Sequence, residues 1–233
     1  MTPFSIDIET KPKSDEEIKK IIPAFDEEAV KYGNVRDEKK RADLLERKRA
    51  EHTDKYLQKA ALYAHTGEVL MVSFFEDRRG FWWLDAGQQG EEGLLVQTWE
   101  TLNNRATYKS QYIVGHGILD FDLPFLFRRS MMLGVKVPTP LWELGKDCCV
   151  YWYRRFFDTC RFWKASKYGD TPATYNDVAL AMGTPTKPKD VSGKLFHVAW
   201  EEDQTAALEY ARNDVEGPYR WVQQWDCLFD PGE

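Results

Sequence analysis

The stretch PFSIDIE, residues 3–9, alternates apolar and acidic side chains, and its reading decides the fold. Successive side chains on a β-strand point to opposite faces. Ile6 and Ile8 then form a face to bury, while Asp7 and Glu9 stand together on the other. Two carboxylates side by side repel unless a cation lies between them. An isolated pair of this kind is usually a solvent-facing acidic strip, so its meaning depends on what the rest of the chain brings to it.

Beyond this strand the chain is dense in charge from about Lys11 to Lys59. Leucines at helical spacing in RDEKKRADLLERKRAEHTDKYLQKAAL predict a long exposed helix, capped by Asn34 or Asp37. From Gly67 the pattern turns to β: GEVLMVSFFED and RRGFWWLDA read as two strands joined by a turn at 77–80. Residues 91–104 predict a helix and YIVG (112–115) a short buried strand. DLPFLFRRSMMLG predicts a helix with Pro124 in its first turn and Gly134 after its end. The aromatic stretch 147–163 reads as strand or loop ending at FFDTC, and TYNDVALAMG as a short helix. EEDQTAALEYARNDVEGPYRWVQQW predicts one long closing helix, disturbed at Gly217-Pro218. Mixed strands and helices in this order predict an α/β domain over 1–233, with a charged helical insertion at about 11–59 after the first strand.

A hydrophobic fraction of 42% with 14% aromatics suffices for a packed core, so disorder is not expected. No apolar run approaches the roughly 18–20 residues that span a bilayer, and the opening residues lack a signal-peptide layout. The expectation is a cytoplasmic protein with no membrane partner. The four cysteines, Cys148, Cys149, Cys160 and Cys227, include no CxxC pair, and buried free thiols are expected. A net charge of −6 argues against a general nucleic-acid binder but not against a nuclease, because bound cations rather than the protein can neutralise a phosphate.

Hydrolysis of a phosphodiester needs a nucleophile made from water and stabilisation of charge on two oxygens. Two divalent ions about 3.5–4 Å apart supply both. Mg²⁺ or Mn²⁺ prefers oxygen ligands, so several carboxylates must converge. Asp7 and Glu9 share a strand face. Tyr210 and Asp214, four apart in the closing helix, share a helix face. Asp120 and Asp122 flank Phe121 just before a helix, where either suits an N-cap.

Those segments, in that order, resemble the motifs of DEDDy-type 3'→5' exonucleases of the ribonuclease H-like superfamily. SIDIET (5–10) resembles the first motif, Asp-x-Glu on a strand. GHGILDFDLPFL (115–126) is similar to the second motif of the family B DNA polymerase proofreading domain, Asn-Ile-x-x-Phe-Asp-x-Pro. That alignment places the catalytic carboxylate on Asp122, with Gly117 where the motif has Asn. YARND (210–214) resembles the tyrosine form of the third motif; the histidine form would need His at Glu209. The resemblance, covering the first ten residues and about 59–226, extends to stand-alone exonucleases related to that proofreading domain. It implies a ribonuclease H-like mixed central sheet flanked by helices. It implies Asp7, Glu9, Asp122 and Asp214 as ligands of two Mg²⁺ or Mn²⁺ ions and Tyr210 as the group orienting the nucleophile. Thr10 and Phe121 become candidate contacts to the terminal nucleotide of a single-stranded 3' end, DNA first. The alternatives are an exoribonuclease and a non-catalytic nucleic-acid-binding scaffold.

Other residues are weighed less heavily. The basic run Lys39, Lys40, Arg41, Arg47, Lys48, Arg49 is interrupted by acidic residues and reads as a solvated helix face. Trp82 and Trp83 point to opposite strand faces, at least one into the core. His116 reads as structural, Asp158 as a strand end without an assigned role, and Lys187 and Lys189 as candidate substrate contacts between or beside Pro185 and Pro188.

Overall fold

The computed structural model describes residues 2–107, 111–138, 156–164, 171–188 and 193–226. Readings that concern 147–155, Cys148, Cys149, Cys227 and Lys189 lie outside the described residues. The chain divides into two compact units, Met1–Thr10 with Val69–Glu233, and Lys11–Glu68.

The first unit is α/β, built on a five-stranded mixed sheet. Its strands are β1 (Thr2–Pro12), β2 (Gly67–Glu76), β3 (Gly80–Asp85), β4 (Gln111–Gly115) and β5 (Phe156–Asp158), in the order β3-β2-β1-β4-β5. β1, β4 and β5 run parallel, with Ser5 opposite Val114 and Gly115 opposite Asp158; β3 pairs antiparallel with β2. Phe4, Ile6 and Ile8 are buried, as their alternation predicts. Trp82 packs on Phe4 and Phe74, whereas its neighbour Trp83 is 38% exposed and stacks on Phe81. Adjacent strand residues do face opposite ways.

Helices α3 (Gly90–Thr107) and α4 (Asp122–Leu133) pack through Trp99, whose ring meets Phe127 and whose indole N–H donates to Ser130. Gly134 ends α4 as the sequence predicts. A short helix, α5 (Thr159–Lys164), follows β5 directly. Helix α6 (Tyr175–Met182) carries a Thr174–Asp177 capping box. It packs with Trp221 and Trp225 of the closing helix around Val114.

The long closing helix is present, α8 (Gln204–Asp226), and starts three residues later than the sequence predicts; a short helix, α7 (Phe196–Glu202), precedes it, and the break falls at Asp203. The Asp203 carboxylate accepts the N–H groups of Thr205 and Ala206, and this cap sets the start of α8. Pro218 instead lies within α8. It costs the Asp214 carbonyl its helical partner four residues on, and the helix continues because Tyr219, Trp221 and Val222 are buried.

In the second unit, α1 (Asp15–Ile21) has a Ser14–Glu17 capping box and α2 (Glu38–Leu57) is capped by Asp37. No residue of α2 is buried. Arg47 and Lys48 pair with Glu51, and Arg49 pairs with Glu27, which is the solvated face anticipated for this run. Among the described residues no helix is long and apolar enough to cross a membrane.

Candidate metal centre

β1 outruns its neighbour β4, and the site grows from that mismatch. β4 stops at Gly115, so the backbone N–H of Ile8, three residues beyond the last paired position of β1, needs another acceptor. Asp122 supplies it: its Oδ1 accepts the Ile8 N–H at 2.9 Å. The first residue of α4 is thereby tied to the backbone of β1 between the residues that carry Asp7 and Glu9. Two glycines permit this turn. A Cβ on Gly115 would lie 2.0 Å from Ile118 Cγ2 and 2.7 Å from the Ile6 carbonyl oxygen. Gly117 has φ +83°, a left-handed conformation that glycine adopts freely and asparagine better than most other residues. The departure from Asn to Gly at this position therefore keeps the backbone the turn requires.

Asp158, a strand end that no motif singles out, holds the same turn. Its Oδ1 accepts from the N–H groups of Gly117, Cys160 and Arg161, and its Oδ2 from that of Leu119, at 3.0–3.1 Å. One carboxylate thus ties the approach to α4 to the start of α5. His116 sits in the same turn, between Thr159 and the Ala173 carbonyl, with its ring against Tyr175 and Trp221. Burial lowers its pKa, in keeping with a packing role. Asp120 points outward and pairs with Arg161 at 2.5 Å. Of the two aspartates that flank Phe121, it is Asp122 that faces inward, with 3% of its surface exposed.

Helix α8 brings the last members. Ligand atoms of Asp7, Glu9 and Asp214 all lie within 4.8 Å of one another. Glu9 and Asp214 are buried and Asp7 half-buried. Tyr210, one turn before Asp214, is buried against Leu70, Met71 and Phe196. Tyr175 anchors the helix beside Asp214: its hydroxyl donates to the Asn213 carbonyl at 2.7 Å. Gly217 makes room for it, since a Cβ there would lie 2.3 Å from that hydroxyl.

The electrostatics are those of crowded, desolvated carboxylates. Burial first, then Asp214, Asp122 and Glu9, raise the pKa of Asp7 well above the ordinary value. Glu9 is raised well above it by burial and then by Asp214. Burial lifts Asp122 to about 7 against the pull of the Ile8 N–H. Asp214 rises to about 6, restrained by Lys187. That lysine is the site member whose partners the sequence did not disclose. Its ammonium lies 2.5 Å from Asp214 Oδ1 and donates to the Tyr210 hydroxyl at 2.9 Å. Burial alone would lower the Lys187 pKa; Asp214, Tyr210 and Asp7 outweigh it and raise it. Tyr210 is held above the usual phenol range by burial and by Asp214.

An all-oxygen donor set, buried, mutually repelling and open to one more positive charge, suits a hard divalent cation. The triad Asp7, Glu9 and Asp214 could hold one. Asp122 acts on all three through its charge, but its Oδ1 is engaged by Ile8. Of the two nucleotide-contact candidates, Phe121 is partly exposed with its ring on Phe125, while Thr10 is 3% exposed. No protein-family model matches the chain, and no curated protein matches it either.

Proposed function

We propose that the chain is a metal-dependent 3'→5' exonuclease of ribonuclease H-like fold. It would release nucleoside monophosphates from single-stranded 3' ends, with DNA as the first substrate to test. The observation that carries the reading is the meeting of Asp7, Glu9 and Asp214 within 4.8 Å, with Asp122 and Tyr210 against them. These five residues come from three separated segments, and they are the set that the motif resemblance selects. The strand order and directions are compatible with a ribonuclease H-like arrangement.

In this reading Asp7, Glu9 and Asp214 would hold one Mg²⁺ or Mn²⁺ ion, and Asp122 would help hold a second. Such ions stabilise charge on the attacking and leaving oxygens and ease deprotonation of water. The chain's own residues do the rest. Tyr210 keeps its proton at neutral pH, because burial and Asp214 raise its pKa. Its oxygen accepts from Lys187, so its O–H is the group it has to offer to the attacking water. Asp122 is held in register by Ile8, and the turn before it by Asp158. Phe121 presents part of its ring for stacking on a terminal base.

The test uses the full chain with matched single-stranded DNA and RNA oligomers labelled at the 5' end, in Mg²⁺ or Mn²⁺. Stepwise shortening from the 3' end is expected, and Asp7→Ala should abolish it while leaving the circular dichroism spectrum unchanged. A fully active Asp7→Ala protein would overturn the proposal. Equal or faster loss of the RNA oligomer would reassign the substrate.

A further inference from the structure

Lys187 enters the carboxylate cluster from the loop that follows α6. Pro185 and Pro188 bracket the loop, and the Lys187 N–H donates to Asn176 Oδ1 at 2.9 Å. The side chain is 24% exposed and runs inward. Its ammonium lies 4.4 Å from the centroid of the Tyr210 ring and 5.1 Å from that of Tyr175. Two aromatic faces, a phenol oxygen and the Asp214 carboxylate therefore surround one ammonium group. Among the described residues, Lys187 is the cation that meets the cluster.

We propose that Lys187 is an internal cation, occupying the Asp214 corner of the cluster in the metal-free protein and competing there with a divalent ion. The inference rests on the metal-binding reading above. Three carboxylates with atoms inside 4.8 Å are costly to bury without a counter-charge. The ammonium, 2.5 Å from Asp214 Oδ1, supplies part of it. A divalent ion using the same carboxylate would stand within a few ångströms of that ammonium, and the two cations repel in a site screened little by water. Lysine suits such a duty: its four-carbon stem is flexible, so the charge can swing outward without unfolding the loop. The lysine thus stabilises the unloaded site and weakens its first ion.

Mn²⁺ binding is measured by electron paramagnetic resonance or calorimetry on the wild type, Lys187→Met and Lys187→Arg, with Asp7→Asn as control. Lys187→Met is expected to bind Mn²⁺ about tenfold more tightly, the equivalent of about 1.4 kcal/mol, and to melt lower when metal-free. Lys187→Arg should stay close to the wild type on both. Equal or weaker binding by Lys187→Met overturns the inference. It leaves the metal centre standing if Asp7→Asn abolishes binding. No binding by any of the proteins removes the metal centre and the inference together. Should Lys187→Met fail to fold, Lys187→Gln carries the same expectations. A measurement on the wild type is independent of both variants: acylation of Lys187, followed by mass spectrometry, should run several-fold faster in saturating Mg²⁺. An unchanged rate would overturn the inference.

Discussion

Helix α2 and the centre around Asp7 both gather charged side chains, and they behave as opposites. In α2 no residue is buried, and Arg47, Lys48 and Glu51 pair at 3.5 Å across adjacent turns. Such pairs are hydrated and contribute little. At the centre, Glu9, Asp122 and Asp214 are each 5% exposed or less. Burial raises the pKa of each, the charge of Asp214 adds to the rise at Glu9 and Asp122, and Lys187 pulls Glu9 and Asp214 back. Density of charge along a sequence therefore says little about function. What matters is delivery of like charges to one spot by separate elements: strand β1, the start of α4 and the middle of α8.

The largest effect should come from the anchor of the arrangement. Asp158→Ala leaves four N–H groups without their acceptor and should cost about 3 kcal/mol or more in denaturant unfolding. Metal affinity should fall with it as Asp122 loses its fixed approach. Glu9→Gln should separate stability from function. Removing one buried carboxylate should raise metal-free stability by about 1–2 kcal/mol and weaken Mn²⁺ binding, since it relieves the repulsion that a bound ion would otherwise offset. The pH dependence should run opposite to that of a protein held by salt-bridged carboxylates. Asp122 rises from 3.8 to about 7 and Asp214 from 3.8 to about 6, so the folded form keeps protons that the unfolded chain releases. Metal-free stability should therefore fall as pH rises from about 4 to about 7, and excess Mg²⁺ should flatten the slope in the same melts. The smallest effect belongs to the other region: Glu51→Gln in α2 should change stability by less than about 0.5 kcal/mol. A comparable gain from Glu51→Gln and Glu9→Gln would erase the contrast.

Much of the fold was legible because its signals are local. The alternation in PFSIDIE, the turn between β2 and β3, and Gly134 after α4 each state their element in a few residues. The break between α7 and α8 was not, because Asp203 reads equally as one more acidic residue on a helix surface. Pro218 misled in the other direction, as buried neighbours outweigh a missing hydrogen bond. Spacing and resemblance singled out carboxylates that the fold brings together, Asp7, Glu9 and Asp214, and Asp122 rather than Asp120 is the one turned inward. Lys187 could be singled out but not given its partners, since the contact with Asp214 spans 27 residues and depends on how the loop after α6 folds back. Asp158 carries no sequence signal at all: its role is to accept backbone N–H groups, which any turn presents.

The central claim is tested most directly by anomalous diffraction from crystals of the full chain soaked in Mn²⁺. The account predicts a Mn²⁺ peak bounded by the carboxylates of Asp7, Glu9 and Asp214, lost in Asp7→Asn crystals. Crystals that bind Mn²⁺ elsewhere, or nowhere, with that pocket empty at saturating concentration would contradict it.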